Sequence, residues 1–360
     1  MTGSPVRVLI LGASYGMLPG VKLSLAGHRV TLVGRADEIA AMARDGLSLT
    51  MPLRRNAGPL QAGSLLQAAV ADVAAPGAVA LVTPENANPQ ANDFVILAMQ
   101  EPQFAAPEVG ALIDRIVAAG LPCLSIMNLP PLPFLASLGT IPNSAFEGVY
   151  ASEAVWRKLP AELLTVACPD AQAIRPDPMK PGHISVTLTS NFKAAPFIDG
   201  RAQMLLDRLA HDMSRLKLDG LRAPVLLLTR ASRHAPLAKW PMLIAGNCRC
   251  VHPDSPRTIA QAVHDDLAQS REIYEEIVAL IRGLGTPDSE IVPFASYAKA
   301  AHRLTRPSSL ARALAAGAVQ VERTDRLIVN LQRIVGTPSP AVDAIAGRIE
   351  DQLALNRDGL

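Results

Sequence analysis

One stretch near the amino terminus sets the fold: Val6-Arg7-Val8-Leu9-Ile10-Leu11-Gly12-Ala13-Ser14-Tyr15-Gly16-Met17-Leu18-Pro19-Gly20. It reads as an apolar strand that enters a glycine-rich turn, and a helical pattern leads from the turn to Gly27-His28. A second apolar run, Arg29-Val-Thr-Leu-Val-Gly34-Arg35, follows directly. This order predicts a βαβ unit, whose first turn can place backbone N–H groups and a helix N-terminus against a pyrophosphate.

The glycine spacing of this turn differs from the usual dinucleotide fingerprint, which has glycines at its first, third and sixth positions. Ser14 occupies the third position, and Gly16 comes one residue early. Because Ser14 carries a Cβ where the backbone comes closest to phosphate, we expect the turn to hold a cofactor differently. The alternative is a tight strand-to-helix turn without a nucleotide. The predicted cofactor-binding turn consists of Gly12, Ala13, Ser14, Tyr15 and Gly16.

The residue that ends the second apolar run indicates which cofactor is bound. An acidic residue at this position holds the ribose 2′-hydroxyl, whereas an arginine accommodates a 2′-phosphate. The run ends in Gly34-Arg35. The sequence therefore predicts that Arg35 binds a 2′-phosphate and that the cofactor is NADP(H) in preference to NAD(H).

Composition and charge limit the classes of protein that this sequence can encode. The chain has 360 residues, of which 49% are hydrophobic and 18% charged, and a formal net charge of +2. These values predict a soluble protein with room for two domains, and they do not suggest binding to nucleic acid or anionic membranes. No apolar run reaches the roughly 18–20 residues that span a bilayer. The start, Met1-Thr-Gly-Ser-Pro, does not read as a signal peptide, so we expect a cytoplasmic protein.

The cysteines predict neither a disulfide framework nor a metal site. Cys123, Cys168, Cys248 and Cys250 are few for this length. Cys248-Arg-Cys250 has no second cysteine or histidine pair nearby, and buried helix thiols are the favoured interpretation.

The rhythm of strands and helices indicates two domains. Apolar runs typical of buried parallel strands occupy residues 93–99 and 121–127, and a weaker strand-like run occupies residues 79–82. Strand-like runs at 183–189 and 224–229 flank a helix near 201–216. Beyond residue 232 we expect helices at 236–250, 265–284, 294–303, 307–316, 323–335 and 339–355. We predict an α/β fold: a Rossmann-type dinucleotide-binding domain (1–230) followed by an all-helical substrate and dimerisation domain (231–360), with the active site in a cleft between them.

Several short motifs in this order resemble those of the ketopantoate reductase (2-dehydropantoate 2-reductase) family over essentially the whole chain. Ala26-Gly27-His28 is similar to the family's opening, and Met127-Asn128 stands where the family has a motif beside the nicotinamide. Leu237-Ala-Lys239-Trp240, followed by Asn247, is similar to the lysine helix. The last two motifs are Arg306-Pro-Ser308-Ser309-Leu310, similar to the serine motif, and Arg323-Thr-Asp325 with Asn330, similar to the acidic motif.

The resemblance implies a 6-phosphogluconate-dehydrogenase-like arrangement and a role for each motif. Lys239 and Asp325 would be catalytic, and the lysine would donate the proton that ketone reduction requires. The substrate would be bound by Asn247, Ser308 and Ser309, with Leu243 lining the pocket. Met99, Gln100 and Asn128 would contact the cofactor. On a regular helix Lys239 and Asn247 fall within about 80° of each other.

Each of these residues also has a purely structural interpretation. Lys239 could be a solvated helix lysine, and Ser308 could be only an N-cap. Asp325 could pair with Arg323 or Arg326 on a surface. His234 and His302 have no partners in the sequence that would make a catalytic triad.

Three departures from the family pattern bear on the substrate. The family's asparagine four residues past the lysine is Leu243, and a lysine of its third-strand motif is Leu97. The segment between Ser309 and Asp325 is longer, which leaves Glu322 as a rival for the acidic role. Because leucine removes a hydrogen bond, we expect a bulkier or more apolar 2-oxo acid or related carbonyl compound rather than ketopantoate. Two alternatives to a carbonyl oxidoreductase are an opine-type imine reductase and a non-catalytic NADPH-binding sensor. We expect a small-molecule substrate and a homodimer.

Overall fold

The computed structural model of the protein describes residues 4–54, 57–66, 68–69, 76–218 and 221–359. Met1-Thr-Gly, part of the segment that does not read as a signal peptide, lies outside the described residues. The chain divides into two compact units. The first unit comprises Met1–Met99, Gln103–Met127 and Ala154–Ala231, and the second comprises Gln100–Pro102, Asn128–Glu153 and Ser232–Leu360.

The strands all belong to the first unit within the described ranges. They are β1 (Arg7–Leu11), β2 (Arg29–Val33), β3 (Leu47–Arg54), β4 (Ala57–Leu66), β5 (Ala68–Ala69), β6 (Val79–Val82), β7 (Phe94–Leu97), β8 (Cys123–Ile126), β9 (Leu164–Cys168), β10 (Gln172–Ile174), β11 (His183–Leu188), β12 (Phe192–Ala194), β13 (Lys217–Leu218), β14 (Leu221–Arg222) and β15 (Leu227–Thr229).

The helices run through both units. They are α1 (Met17–Leu25), α2 (Ala36–Asp45), α3 (Pro107–Ala118), α4 (Leu132–Ala136), α5 (Glu153–Trp156), α6 (Gly200–Arg215), α7 (Trp240–Met242), α8 (Ile259–His264), α9 (Leu267–Gly283), α10 (Phe294–Ala301), α11 (Ser309–Ala315), α12 (Thr324–Ile334) and α13 (Pro340–Asp358).

The main sheet of the first unit has the order β15-β12-β9-β8-β7-β1-β2-β6-β5. Its part β6-β2-β1-β7-β8-β9 is parallel and follows the 3-2-1-4-5-6 strand order of the Rossmann fold. The strands β6, β7, β8 and β9 are buried along their whole length. Burial on both faces explains why they read as continuous apolar runs. The predicted α/β fold with a Rossmann-type sheet is confirmed.

A second sheet of the first unit was not predicted from the sequence. It has the order β10-β11-β3-β4, in which β11 pairs with β3 in parallel and the other pairs are antiparallel. The strands β9 and β12 of the main sheet were missed as well. Pro52 lies inside β3, and a proline inside an apolar run argues against a strand from sequence alone.

The described residues of the second unit form helices joined by loops and include no strand. The helices predicted at 265–284, 294–303, 307–316, 323–335 and 339–355 correspond to α9, α10, α11, α12 and α13, whereas α8 was missed. Gly285 has φ +98° and ends α9 as expected. The segments 100–102 and 128–153, which the sequence assigned to the first domain, pack with the second unit. Within the described ranges, none of the helices combines the length and the hydrophobicity needed to span a bilayer.

The predicted helix 236–250 is correct in extent but wrong in regularity. A 3-10 turn (Ala235–Lys239) leads into α7, which continues as a π turn (Leu243–Asn247) and a second 3-10 turn (Cys248–Cys250). A π turn closes i→i+5 hydrogen bonds and so changes the angular position of every later residue. The angle of about 80° between Lys239 and Asn247, derived for a regular α-helix, therefore does not apply.

Candidate functional site

The glycine-rich turn approaches the end of β7 closely. Gly12 has φ +102°, and a Cβ built on it would lie 2.6 Å from the Ala98 carbonyl oxygen. A Cβ on Gly16 would lie 2.5 Å from the Gly12 carbonyl oxygen and 2.6 Å from Cγ2 of Ile10. Both positions therefore require glycine, the first for the backbone conformation and close approach and the second for packing of the turn on β1.

Backbone N–H groups remain available in this turn. Among the described residues, the amides of Ala13, Ser14 and Tyr15 donate to no carbonyl. The N-cap of α1 is Gly16, which has no side chain that could accept a hydrogen bond from the first turn of the helix. Ser14 is exposed. The Tyr15 hydroxyl donates to the Ala171 carbonyl at 2.7 Å, so only the backbone of this residue is free for a ligand. Open amides at the start of a helix suit an anionic group such as a pyrophosphate.

Arg35 lies at the end of β2, where the sequence analysis expected a 2′-phosphate partner. Arg35 is the N-cap residue of α2, and its side chain is 74% exposed. The guanidinium donates to Asp37 at 3.2 Å and lies 3.6 Å from Glu38. The Asp37 hydrogen bond, and then the Glu38 charge, raise the pKa of Arg35. The positive charge of Arg35 therefore lies at the predicted place, and Asp37 and Glu38 both lie close to it.

A cavity of about 800 Å³ opens beside the carboxyl end of β6, and the sequence analysis did not identify it. Its walls include Ile39 of α2, Val82 and Thr83 at the end of β6, and Arg115 of α3. Arg115 donates to the Ala87 carbonyl at 2.6 Å and so fixes the loop after β6. In this fold ligands bind beyond the carboxyl ends of the strands. The apolar run at 79–82 is therefore the feature of the sequence from which the position of this cavity could have been predicted.

The other predicted cofactor residues follow neighbouring strands. Met99 comes two residues after β7 and is partly exposed, and its Cγ faces Gly12. Gln100 is exposed, and Asn128, two residues after β8, is partly exposed. Because β7 and β8 are adjacent and parallel, their carboxyl ends lie at the same edge of the sheet.

The irregular helical segment 235–250 carries Lys239, Leu243 and Asn247. Lys239 and Asn247 are partly exposed, whereas Leu243 is buried at 4% exposure. The Tyr297 hydroxyl donates to the Met242 carbonyl at 3.2 Å, and a Cβ on Gly246 would lie 1.9 Å from that hydroxyl. Tyr297 thus donates a hydrogen bond to the segment at Met242, where α7 ends and the π turn begins.

The serine motif is tied to this segment. Ser308 is the N-cap of α11, and its Oγ accepts the Ala311 amide at 3.2 Å and donates to the Asn247 carbonyl at 2.7 Å. Ser308 is 3% exposed, whereas Ser309 is exposed. The structure therefore brings the serine motif and Asn247 together, and leaves Ser309 as the serine whose side chain is accessible.

Asp325 is engaged in an ion pair. Its carboxylate is 1% exposed and accepts from Arg323 at 2.9 Å, and Arg323 also binds Glu350 at 2.6 Å. Burial is the main cause of the raised pKa of Cys248, and the charge of Asp325 contributes to it, so Asp325 lies near the residue that follows Asn247 in the chain. The pairing with Arg323 matches the structural interpretation, except that it is buried and not on a surface. A role for Asp325 towards a substrate remains a prediction.

Glu322 occupies a different environment from Asp325. Its carboxylate accepts backbone N–H groups of Glu101, Asn128 and Leu129. Burial, together with the charge of Glu101, raises the pKa of Glu322 to about 7. Glu101 is fully buried and accepts the Ser152 amide at 2.7 Å. The sequence analysis missed Glu101, although it directly follows the predicted cofactor residue Gln100.

The described residues contain no group of three or more His, Cys, Asp and Glu side chains placed to hold a metal ion. All four cysteines, Cys123, Cys168, Cys248 and Cys250, are free and buried.

Similarity to solved structures extends along nearly the whole chain. A PanE/ApbA family ketopantoate reductase from Ralstonia eutropha JMP134 has a TM-score of 0.64 at 18% identity, with 98% of this chain and 100% of that chain covered. A 2-dehydropantoate 2-reductase from Methylococcus capsulatus has a TM-score of 0.63 at 15% identity, with 97% of each chain covered. This chain has the ketopantoate reductase fold.

The ketopantoate reductase fold also includes a D-mandelate dehydrogenase solved with NADH and anilino(oxo)acetate. That structure has a TM-score of 0.64 at 13% identity and covers 98% of this chain and 100% of its own. No protein-family model and no curated protein sequence matches the chain. The similarity to these solved structures confirms, at the level of the fold, the resemblance seen in the sequence motifs.

Proposed function

We propose that this protein is an NADP(H)-dependent oxidoreductase that transfers hydride between the nicotinamide and a small 2-oxo or 2-hydroxy acid, or a related carbonyl compound. The observation that carries the proposal is the turn Gly12–Gly16, whose open amides start α1 at the switch point of a Rossmann-ordered sheet. Three unpaired amides at this place, together with the helix N-terminus, favour an anionic ligand such as the pyrophosphate of a dinucleotide.

The cofactor is proposed to extend along the carboxyl edge of the parallel strands. Ala13, Ser14 and Tyr15 would hold its pyrophosphate through their amides, and Arg35 its 2′-phosphate. The cavity beside β6 would take the adenosine, because it opens next to the strand that neighbours Arg35. When bound, NADP(H) supplies or accepts the hydride.

Lys239 is proposed as the proton donor to the alkoxide that forms during reduction, with Asn247 and Ser309 binding the substrate. Glu322 or Asp325 would orient the lysine or the substrate hydroxyl from the opposite side. Glu322 is the better supported of the two acids, since its pKa near 7 allows ionisation close to neutral pH and it contacts the backbone of Asn128. Asp325 is already paired with Arg323.

The substrate is proposed to be more apolar than ketopantoate. Leu243 offers no hydrogen bond where the family pattern has an asparagine, so a hydroxylated substrate would lose a partner. The D-mandelate dehydrogenase of this fold was solved with anilino(oxo)acetate, an aromatic 2-oxo compound. A bulky 2-oxo acid is accordingly the first compound class to test. We also propose that the protein is cytoplasmic and forms a homodimer, whose interface would cover the exposed apolar side chains of Ile334, Val335 and Leu355.

The proposal is tested by following the absorbance of NADPH at 340 nm during a screen of aliphatic and aromatic 2-oxo acids. Lys239→Ala should lower kcat by roughly 10²–10⁴-fold with NADPH binding nearly intact, as expected for the loss of a positioned proton donor. The matched control is Lys299→Ala, an exposed lysine of α10, which should keep full activity.

Two results would contradict this assignment in different ways. Full turnover in Lys239→Ala would remove the lysine from the mechanism and leave the oxidoreductase class standing. Tight NADPH binding without oxidation by any carbonyl or imine compound would favour the non-catalytic sensor. Turnover only when an amine accompanies the 2-oxo acid would favour an opine-type imine reductase.

A further inference from the structure

A second cavity, of about 360 Å³, lies within the helical unit and includes none of the residues assigned above. Its volume falls in the lower part of the range of about 300–1,000 Å³ for small-molecule sites. We call it the arginine cavity, after the cations in its wall. Its polar wall consists of Arg249, His252, Arg257, Asp266, Gln269 and Arg348.

Arg249 is a buried cation without a carboxylate partner among the described residues. Its side chain is 4% exposed, and its guanidinium donates to Gln269 Oε1 at 2.8 Å and to the Ser270 hydroxyl. Both acceptors are neutral. Burying a charge is costly unless an opposite charge accompanies it, and arginine is rarely buried without one. Arg249 therefore lacks a counter-ion within the described part of the chain.

The other two arginines increase this excess of positive charge. Arg257 lies 3.6 Å from Asp265, a loose contact with an exposed acid, and its buried Nε has no partner among the described residues. Arg348 of α13 forms no ion pair with any described residue. Burial, and then the charge of Arg257, lower the pKa of both Arg249 and Arg348.

The acids near the cavity do not balance three guanidinium groups. Asp266 is the N-cap of α9 and accepts the Gln269 amide at 2.9 Å. Asp254 lies 3.6 Å from His252 and is 90% exposed. Arginine guanidinium groups that line one cavity are frequent protein partners of phosphate, because each presents several N–H donors in one plane.

We propose that the arginine cavity binds a phosphate group, either free or carried by a small metabolite. The anion would receive hydrogen bonds from Arg257 and Arg348, and its charge would offset that of Arg249. The proposal does not rest on the oxidoreductase function, since all of these residues lie outside the proposed catalytic set.

The test is binding of inorganic phosphate and of glucose 6-phosphate by the full chain, measured by titration calorimetry and by the rise in Tm. Measurements use low ionic strength with chloride at matched ionic strength as the blank. Arg348→Gln should weaken binding by roughly 10- to 100-fold, the range expected for losing a charged hydrogen bond. Arg257→Gln, which keeps a polar side chain, should act in the same direction. A stronger signal with glucose 6-phosphate than with phosphate would identify a phosphorylated metabolite as the ligand, and equal signals the free ion.

Control variants separate this site from the proposed cofactor site. Arg282→Gln removes an exposed arginine about 20 Å along α9 from Gln269 and should leave phosphate binding unchanged. Arg35→Ala should also leave it unchanged, whereas phosphate held at the dinucleotide site would be lost in that variant. The proposal is overturned by three outcomes: no binding by the wild type, equal binding in the wild type and Arg348→Gln, or a loss of binding confined to Arg35→Ala.

Discussion

At the scale of single residues, Arg35 pairs with a neighbouring acid only through a weak contact at the surface. Its hydrogen bond to Asp37 lies on the surface, where both side chains are at least 70% exposed. Exposed ion pairs of this kind contribute about 0–1 kcal/mol. A cofactor 2′-phosphate, with more charge and more acceptor oxygens, would therefore displace the Asp37 carboxylate at small cost.

Replacing Arg35 tests the cofactor assignment. The wild type should bind NADPH more tightly than NADH, and Arg35→Ala should erase most of this difference because it removes the cation that we propose binds the 2′-phosphate. Fluorescence titration with the two nucleotides measures both affinities. Arg44→Ala is the matched control, since Arg44 lies in α2, the helix that Arg35 precedes, and forms an exposed pair with Asp45. Equal affinity of the wild type for NADPH and NADH would show that the cofactor preference was assigned wrongly.

The two candidate acids are distinguished by their surroundings. Glu322 is bound by neutral backbone amides and lies close to the charge of Glu101, so its pKa rises to about 7. Asp325 is bound by the Arg323 guanidinium, which is also bound by Glu350. A group with a pKa near 7 changes its charge in the range where an enzyme works, whereas a paired buried carboxylate mainly holds structure.

Substituting each acid should give a different signature. If ionised Glu322 orients the lysine or the substrate, kcat/KM of the wild type rises with pH through about 7, and Glu322→Gln lowers kcat/KM and abolishes that rise. Asp325→Asn should keep the pH profile and lower the free energy of unfolding by roughly 3 kcal/mol, because Arg323 loses a buried partner. An unchanged pH profile in Glu322→Gln together with a lost one in Asp325→Asn would reverse the assignment.

At the scale of elements, local pattern was sufficient where a strand or helix is stabilised by its own sequence neighbours. The strands β1, β2, β7 and β8 were predictable because burial on both faces demands unbroken apolar runs. α9 was predictable because its apolar residues lie on one helix face and Gly285 ends it. These elements also carry the cofactor turn, so the turn could be located from the sequence.

The segment 235–250 shows where local pattern is insufficient. Its departure from a regular helix accompanies hydrogen bonds from Tyr297 to the Met242 carbonyl and from Ser308 to the Asn247 carbonyl. These donors lie more than 50 residues away in the chain, and a window of neighbouring residues contains no trace of them. The relative directions of Lys239, Leu243 and Asn247 consequently could not be derived from their spacing.

At the scale of the whole molecule, the chain path crosses between the two units more often than the sequence indicates. The second unit takes in Gln100–Pro102 and Asn128–Glu153 as well as the carboxyl-terminal part. These insertions begin two or three residues after the ends of β7 and β8, inside the alternation of strands and helices that the sequence assigned to one domain. The predicted cofactor residues Gln100 and Asn128 both lie in them.

The first unit contains a buried lysine that links distant parts of the chain. Lys22 of α1 is fully buried, and its Nζ donates to the carbonyls of Pro224 and Val225. Val225 has φ +63°, a left-handed conformation that β-branched residues rarely adopt. Burial lowers the pKa of Lys22 from 10.5 to about 7. The loop conformation is thus held by a group whose charged form is disfavoured in the folded state.

The stability of the first unit should therefore increase with pH above neutrality. Below pH 7 Lys22 is protonated in both states, and the cost of burying its charge is present in full. Between about pH 7 and pH 10.5 the unfolded chain binds a proton that the folded chain does not, so the free energy of unfolding rises with pH, by at most about 1.4 kcal/mol per pH unit. Chemical denaturation at several pH values between 7 and 9.5 measures this slope. Lys22→Met should flatten the slope, and Lys193→Met, a 43% exposed lysine of β12, should retain it. A slope that is the same in the wild type and Lys22→Met would mean that Lys22 stays charged in the folded protein and that its two carbonyl acceptors compensate for its burial.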